Sequence, residues 1–494
     1  MRELIRIGIA ATETEVAELE KKAQEWIYRE QGRRHPRLDL FGEESAVLEK
    51  EIADTRQFLS YITNITLDGA DLLLDRVFDS VGFNRIEDAV FRRLVKARLS
   101  YPASKAATVE YLKNHFDQDV SLSKIYRYLD KLSDSQHQIV QDISVLHTIK
   151  ILGGALGVLF YDVTTLYFEA DYEDELRKTG FSKEGRHSNP QIILGLLVSL
   201  GGYPLAYCIH EGNKYEGHTM LPVIKEFVAK YNLTDFVVVA DSGLMNNDNI
   251  AILEKEGYKY IIGAKIKNES KPIKQWILEQ PKVDRGMVEY DKGNGQRLLV
   301  GYTDDRAKKD VYNRDKGLRR LEKAYKRGTL TKANINKRGY NKFLHMEGEV
   351  KVAINYEKLE EDARWDGLKG YLTNTDLKPE EIYAAYHNLW HVERAFRISK
   401  SKIEIRPMFH FTRKRIEAHV CICFVALKVY KELERLLKLA FVNISVDKVL
   451  ELAKTIVTIH MTLPQTKQTI SKTMLMKRHQ KIAILFDDDF WVTR

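Results

Sequence analysis

Residues 157–170 read GVLFYDVTTLYFEA, a run of β-branched, aliphatic and aromatic residues that is typical of a buried strand. An acidic residue, Asp162, stands between Tyr161 and Val163 inside this run. A carboxylate at such a position is costly unless a partner neutralises it, and a divalent cation is a common partner. The stretch therefore predicts both the first strand of a sheet and the first residue of a candidate site.

The residues that follow predict an α/β sheet around this strand. QIILGLLVSL and YPLAYCIHEG meet at Gly201-Gly202 and are typical of two antiparallel strands joined by a tight turn. HTMLPVIKEFVAKYN predicts a helix, FVVVADSG a buried strand, NNDNIAILEKEG a helix and YKYIIGAKI a strand. Asp241 ends the buried strand, and strand ends are where α/β sheets form ligand sites. Asp241 is thus the second candidate.

The composition says more about a possible binding partner than about the fold. The chain has 494 residues, a formal net charge of +8 and a pI of about 8.9, which suits a polyanion such as nucleic acid but also fits an ordinary basic enzyme. Its three cysteines form no CxxC pair, so neither a disulfide framework nor a cysteine zinc site is expected, and a reducing cytoplasm fits. The apolar stretch 192–209 is broken by Gly201-Gly202 and Pro204, so no membrane span is expected.

A third acid lies on a predicted helix near residue 390. Pro379-Glu380-Glu381 is a typical helix start, and the pattern predicts one helix running to about Lys402. Successive helix residues are rotated by 100°, so one face carries Tyr386, Leu389, Glu393, Arg397 and Lys400. The acid on this face suits a metal ion, and the cations suit a nucleic-acid phosphate. An ordinary surface ion pair between Glu393 and Arg397 is the alternative.

Two further patterns on the chain have both a functional and a structural interpretation. His387 and His391 have the i, i+4 spacing that can bind zinc, but core packing or a phosphate contact explains them as well. Residues 102–134 predict a helix-turn-helix whose second helix begins near Ser121 and exposes Lys124, Arg127 and Lys131. A plain helical pair with a solvated basic face remains the alternative to DNA binding.

The predicted helix that carries Glu393 resembles the signature Tyr-x2-Arg-x3-Glu-x6-Lys. This signature is typical of a large superfamily of bacterial insertion-sequence DDE transposases, which is called insertion sequence family four. Here it reads Tyr386-x2-Leu389-x3-Glu393-x6-Lys400. The stretches GNKYEGHTMLP, VVADSGLMNNDN and RWDGLKGYLTNTD are similar to the same group, and the resemblance covers about residues 155–430. Because the signature arginine is Leu389 here, Arg394 and Arg397 are the candidates for its role.

The resemblance implies an RNase H-like α/β fold and a DNA transposase. Asp162, Asp241 and Glu393 would be catalytic and would hold two Mg²⁺ ions, which Mn²⁺ can replace. The enzyme would cut at terminal inverted repeats and join the freed 3′-hydroxyl ends to target DNA, without a covalent protein intermediate. An RNase H-like nuclease that does not join strands, and an inactive DNA-binding derivative, are the alternatives.

The resemblance also implies partners and DNA contacts. The expected partner is double-stranded DNA, bound by a homodimer on paired ends. Tyr386 and Lys400 would contact phosphates. Lys183 and Arg186, in the polar loop GFSKEGRHSNPQ, are further candidates for DNA binding, with a solvated loop as the alternative.

Five segments are expected along the chain. They are a helical N-terminal DNA-binding domain (1–150), the first part of the catalytic core (151–266), an insertion domain (267–375), the second part of the core (376–430) and a helical C-terminal region (431–494). The insertion contains a basic stretch, 306–327, with ten Lys/Arg and three Asp/Glu. We interpret this stretch as a contact to the DNA backbone, and a solvated helix is the alternative.

Overall fold

The computed structural model describes residues 5–34, 42–170, 172–182, 185–186, 188–331, 334–335, 339–347 and 351–492. The chain forms two compact units, one of Met1–Thr66 with Val457–Met474 and one of Leu67–Ile456 with Leu475–Arg494. In chain order the helices and strands are α1 (Glu13–Arg34), α2 (Gly42–Ser60), β1 (Ile62–Thr66), α3 (Gly69–Val81), α4 (Ala89–Ser100), α5 (Lys105–Phe116), α6 (Leu122–Ile151), β2 (Val158–Tyr167), β3 (Gln191–Ser199), β4 (Pro204–Glu211), α7 (Met220–Tyr231), β5 (Val237–Ala240), α8 (Asn247–Lys255), β6 (Lys259–Ala264), α9 (Lys271–Glu279), β7 (Met287–Gly293), β8 (Gln296–Tyr302), α10 (Asp304–Lys326), β9 (Leu344–Glu347), β10 (Lys351–Ile354), α11 (Tyr356–Ala363), β11 (Leu368–Thr373), α12 (Pro379–His387), α13 (Trp390–Ser401), α14 (Arg413–Leu439), α15 (Val446–Ala453), β12 (Val457–Thr462), β13 (Thr469–Met474) and α16 (Asp488–Val492).

The smaller unit contains α1, α2 and a three-stranded antiparallel sheet in the order β1-β12-β13. Thr66 and His460 join β1 to β12 through their side chains, at 3.0 Å. Residues 431–494 were expected to be helical, yet they supply two of these strands. The reason is visible in VTIHMT and TISKTM, whose β-branched residues favour the extended backbone over the helix.

The larger unit is built on an eight-stranded mixed sheet in the order β4-β3-β2-β5-β6-β11-β8-β7. The central pairs β2–β5 and β5–β6 are parallel, and the other neighbours are antiparallel. The sequence predicts three antiparallel strands, followed by parallel strands that are connected through helices. The structure has this arrangement. The expected fold class, an RNase H-like α/β sheet flanked by helices, is confirmed.

The segment 267–375 extends this sheet. Strand β11 pairs with β6 on one side and with β8 on the other, and β7 follows at the edge. The basic helix α10 and the hairpin β9–β10 lie between β8 and β11 along the chain. Main-chain hydrogen bonds therefore tie the sequence between the second and third acids to the core.

Helices cover both faces of the sheet, which explains why its strands are apolar almost throughout. Leu159 and Tyr161 of β2 pack in the core cluster that contains α7 and α8 residues. Phe160 packs in the cluster that contains residues of α13 and α14. Helix α14 is buried along most of its length, as expected for a core helix. Among the described residues, no helix is both long enough and apolar enough to cross a bilayer.

The structure differs from the sequence prediction in two helical segments. The second helix of residues 102–134 is capped by Ser121 as predicted, since its hydroxyl accepts from Lys124 N–H at 3.2 Å, but it continues to Ile151 as a core helix. The single helix expected from Pro379 to Lys402 is two helices, α12 and α13. The N–H groups of Leu389 and Val392 bond three residues back, at 3.0 and 3.1 Å, so a tighter turn interrupts the α-helical ladder.

Candidate active site

Asp162 and Asp241 lie on adjacent parallel strands and face the same side of the sheet. Tyr161 is opposite Ala240 in the β2–β5 register, so each aspartate directly follows this pair. Side chains two residues apart on a strand share a face, and Phe160 and Val239 both pack in the cluster that contains α12 and α13 residues. The two carboxylates therefore point toward the side of the sheet that these helices cover.

Helix α12 supplies a hydrogen bond to the second aspartate. The Tyr386 hydroxyl donates to Oδ1 of Asp241 at 2.8 Å, while its ring packs against Tyr371 with centroids 4.9 Å apart. Burial, followed by the Asp241 charge, raises the pKa of Tyr386, so the phenol keeps its proton at neutral pH. Tyr386 thereby fixes the orientation of one carboxylate oxygen, and Oδ2 of Asp241 has no hydrogen-bond partner among the described residues.

A glycine on β6 makes room for this hydroxyl. A Cβ at Gly263 would lie 2.6 Å from the Tyr386 hydroxyl oxygen and 3.2 Å from Ser242 N. We expect Gly263→Ala to destabilise the protein by about 1–3 kcal/mol through overpacking, measured by urea unfolding. Gly157→Ala is the control, because a Cβ there meets nothing within 4 Å. Equal effects of the two substitutions would contradict the close approach.

Glu393 lines the same cavity as Asp241 and Tyr386. It lies in the first turn of α13 and is exposed. The cavity is open, has a volume of about 1390 Å³, and is lined by both acids and by several cations, Arg285, Arg306, Lys309 and Lys369. Three further acids, Asp284, Asp305 and Glu380, also line the cavity. The site thus combines carboxylates with basic side chains, and such groups suit metal and phosphate chemistry.

Lys369 on β11 is a site residue that the sequence interpretation missed. It is half-buried, and its Nζ lies 4.4 Å from the Tyr386 ring centroid. Burial, then Arg306, lowers the pKa of Lys369, while the charges of Asp241 and Glu393 act in the opposite direction. Lys369 is therefore a cation within the field of both acids. The only signal in the sequence was a lysine inside the otherwise apolar strand LKGYLT.

The three acids are not gathered into one cluster. Asp162 does not line the cavity that Asp241 and Glu393 share. Within the described ranges, no three His, Cys, Asp or Glu side chains lie close enough to hold a metal ion, and this includes His387 and His391. The donor chemistry still suits Mg²⁺, since all three candidate ligands are carboxylates and two of them follow paired residues on neighbouring strands.

The remaining signature positions differ in what they contact. Leu389 is buried in the core, so it cannot replace a phosphate-binding arginine. Arg394 is ion-paired with Glu434 of α14 and lies over the Trp390 ring. Arg397 is exposed and Lys400 is half-buried.

The other predicted DNA contacts lie in the loop before β3 and on α6. Arg186 pairs with Glu169 at 3.1 Å and stacks over the Tyr167 ring, with its guanidinium carbon 4.1 Å from the centroid. Lys124 and Arg127 are exposed in the first turns of α6. Lys183 lies outside the described residues.

The fold defines an RNase H-like α/β protein with one candidate acid inside β2 and a second directly after β5. Residues 155–428, more than half of the chain, match the family model described as "Transposase DDE domain". The chain therefore belongs to the DDE transposase family.

One solved structure shows a distant likeness. It is a piggyBac transposase synaptic complex with hairpin DNA, at 9% sequence identity and a TM-score of 0.42, with 80% of this chain and 77% of that chain covered. No curated protein sequence matches the chain.

Proposed function

We propose that this protein is a transposase that cuts DNA at the terminal inverted repeats of an element and joins the 3′-hydroxyl ends to target DNA. The observation that carries the proposal is that Asp241, Tyr386 and Glu393 line one open cavity together with the basic residues Lys369 and Arg306. Membership of the DDE transposase family supports it.

Asp162, Asp241 and Glu393 are the proposed ligands of two Mg²⁺ ions, which Mn²⁺ can replace. When bound, such ions stabilise developing negative charge and activate an oxygen nucleophile for in-line phosphoryl transfer. The proposal requires Glu393 to approach the aspartate pair more closely in the loaded enzyme, because the described residues contain no preassembled cluster of three acids.

The other residues of the cavity have proposed roles in binding and orientation. Tyr386 holds Oδ1 of Asp241. Lys369, Arg306 and Lys309 neutralise a DNA phosphate that enters the cavity. Lys400 contributes a phosphate contact from α13. Arg397 takes the role of the missing signature arginine better than Arg394, because Arg394 is already paired with Glu434.

We also propose that the protein binds duplex DNA as a homodimer on paired ends. The exposed residues Lys124 and Arg127, in the first turns of α6, would contact the element ends. Lys183 and Arg186 would contact DNA from the loop before β3. For Arg186, DNA binding has to compete with the Glu169 ion pair.

A cleavage and joining assay tests the proposed function. The purified full chain is mixed with labelled duplexes carrying candidate element ends and with a target plasmid, in Mg²⁺ or Mn²⁺. Cleavage together with joined product is the expected result. Cleavage without joining would instead identify a nuclease, and DNA binding without cleavage would identify an inactive derivative.

Lys369→Met is expected to lower the cleavage rate about tenfold at saturating metal, because a cation beside the reacting phosphate is lost. Cleavage is measured under single-turnover conditions. The matched control is Lys271→Met, which removes an exposed lysine at the start of α9. Equal rates for wild type and Lys369→Met would remove Lys369 from the proposed machinery.

A further inference from the structure

Four basic side chains converge in the larger unit, away from the candidate active site. Arg98 ends α4, Lys105 begins α5, His410 lies in the loop before α14, and His419 lies on α14. All four are buried, with only 7%, 6%, 9% and 5% of their surface exposed, respectively. The two histidine rings lie 5.2 Å apart between centroids. We call these four residues the basic cluster.

Among the residues that the structure describes, no carboxylate acts on Lys105, His410 or His419. The charges that act on His410 are those of Lys105, Arg98 and Arg415, and those that act on His419 come from Arg98, Lys105 and His410. Arg415 is already paired with Asp130, at 2.7 Å. Within the part of the chain that the structure describes, neither Arg98 nor Lys105 has a hydrogen-bond or ion-pair partner.

The electrostatic state of the cluster reflects this imbalance. Burial, then Arg98, lowers the pKa of Lys105 to about 7. Burial, then Lys105 and Arg98, lowers the pKa of His410 to about 4, so this histidine is neutral. His419 is held in place, because its Nε2 donates to the Ile405 carbonyl at 3.1 Å. With this pKa, Lys105 is only partly protonated at neutral pH, so Arg98 is the permanent charge of the cluster and a bound anion would favour the protonated form of Lys105.

Buried cations without a counter-ion are unfavourable, so their position calls for a ligand. Nδ1 of His419 is fully buried and has no hydrogen-bond partner in the described part of the chain. No side-chain nitrogen of Arg98 or Lys105 is both fully buried and unpaired there, so these two cationic groups keep some contact with solvent, although each residue is more than nine-tenths buried. A guanidinium and an ammonium together match a phosphate, since the first offers a planar pair of donors and the second a point charge.

The surface around the cluster resembles a nucleic-acid contact. Phe409 and Phe411 flank His410 in sequence and are 63% and 48% exposed. Phe411 also lies near Tyr172, with ring centroids 6.3 Å apart, and the Arg177 guanidinium carbon is 5.6 Å from its ring centroid. Exposed aromatic rings suit stacking with a nucleotide base, whereas Arg177 is buried and paired with Asp174.

From these observations we propose that Arg98 and Lys105 form a receptor for a phosphate group, with His410 and His419 as its neutral wall. The receptor is separate from the candidate active site, and it does not depend on the proposed transposition chemistry. Its phosphate comes either from a DNA backbone or from a free phosphate compound, and the aromatic surroundings favour DNA.

The first test measures the unfolding midpoint of the full chain with increasing inorganic phosphate, at constant ionic strength with chloride. The second measures binding to a non-specific DNA duplex against salt concentration. Lys105→Met and Arg98→Met are the test variants. Each should raise the unfolding midpoint in the absence of phosphate, because repulsion is relieved. Each should also weaken binding of phosphate about tenfold or more.

The two arms distinguish the sources of the phosphate. If DNA is the source, each variant reduces the slope of log affinity against log salt by about 1. If a free phosphate compound is the source, inorganic phosphate stabilises only the wild type, and DNA binding is unchanged. Lys113→Met, an exposed lysine on the same helix, is the control for both arms, and Lys105→Arg should restore binding. Wild-type responses of both variants in both arms would overturn the proposal.

Discussion

Asp241→Asn is expected to lower the rate of DNA cleavage by about 10³-fold and to leave the fold intact. The amide oxygen of asparagine can still accept the hydrogen bond from the Tyr386 hydroxyl, so the packing around the site is kept. What the substitution removes is the negative charge, and a hard divalent cation binds a neutral amide much less well than a carboxylate. The loss therefore falls on the chemistry.

The same reasoning applies to the other two acids. Asp162→Asn and Glu393→Gln are expected to reduce cleavage similarly. Glu393 is exposed, so its substitution should cost little stability. Binding of the variants to candidate element ends should stay within a few-fold of wild type, because the proposed DNA contacts are made by other residues.

Single-turnover cleavage and calorimetric titration with Mn²⁺ measure the two consequences independently. Asp248→Asn and Glu360→Gln, two exposed helical acids outside the cavity, are the controls and should cut at the wild-type rate. A wild-type cleavage rate in any one of the three site variants would disprove that assignment. Mn²⁺ binding that is unchanged in all three would count against the proposed metal site.

The central sheet could be predicted because its information is local. Each strand between 157 and 264 is a short apolar run, and turn residues such as Gly201-Gly202 separate them. Asp162 and Asp241 could be singled out for the same reason, because a carboxylate is conspicuous in an apolar strand. Their pairing across the parallel β2–β5 register then follows from the sheet.

What the sequence did not predict depends on contacts between distant segments. Lys369 became a site residue only because β11 pairs with β6 and brings it over Tyr386. Strand β12 pairs with β1, almost 400 positions earlier in the chain, so this part of the smaller sheet could not be predicted from neighbouring sequence alone. The turn between α12 and α13 is likewise compatible with a continuous helical pattern.

Glu432→Gln is expected to destabilise the larger unit by about 3–5 kcal/mol. Glu432 is fully buried on α14, where Arg435 donates two hydrogen bonds to it, at 2.6 and 2.8 Å. Its Oε2 also lies 3.6 Å from Nε2 of His147. Lys428, buried on the same helix, feels the Glu432 charge as well. A neutral glutamine would leave buried cations without their counter-ion.

Equilibrium urea unfolding measures the loss. The control is Glu451→Gln, because Glu451 pairs with Lys448 on an exposed helix face and should cost no more than about 1 kcal/mol. A cost for Glu432→Gln as small as that of the control would mean that the buried carboxylate is not the counter-ion of this cluster.

The effect of pH on this difference gives the sharper test. Burial alone would raise the pKa of Glu432, but hydrogen bonds from Arg435 and His147 outweigh it and lower the pKa. A carboxyl whose folded pKa is depressed stabilises the protein fully above its unfolded pKa, about 4.3, and loses this contribution as the pH falls through the folded value. The stability difference between wild type and Glu432→Gln should therefore shrink as the pH falls below about 4. Burial lowers the pKa of His147, and His147 is present in both proteins. Acid should therefore still destabilise the variant as the pH falls below the unfolded histidine pKa of about 6.5. Parallel stability curves down to acid pH would contradict the assigned charge of Glu432.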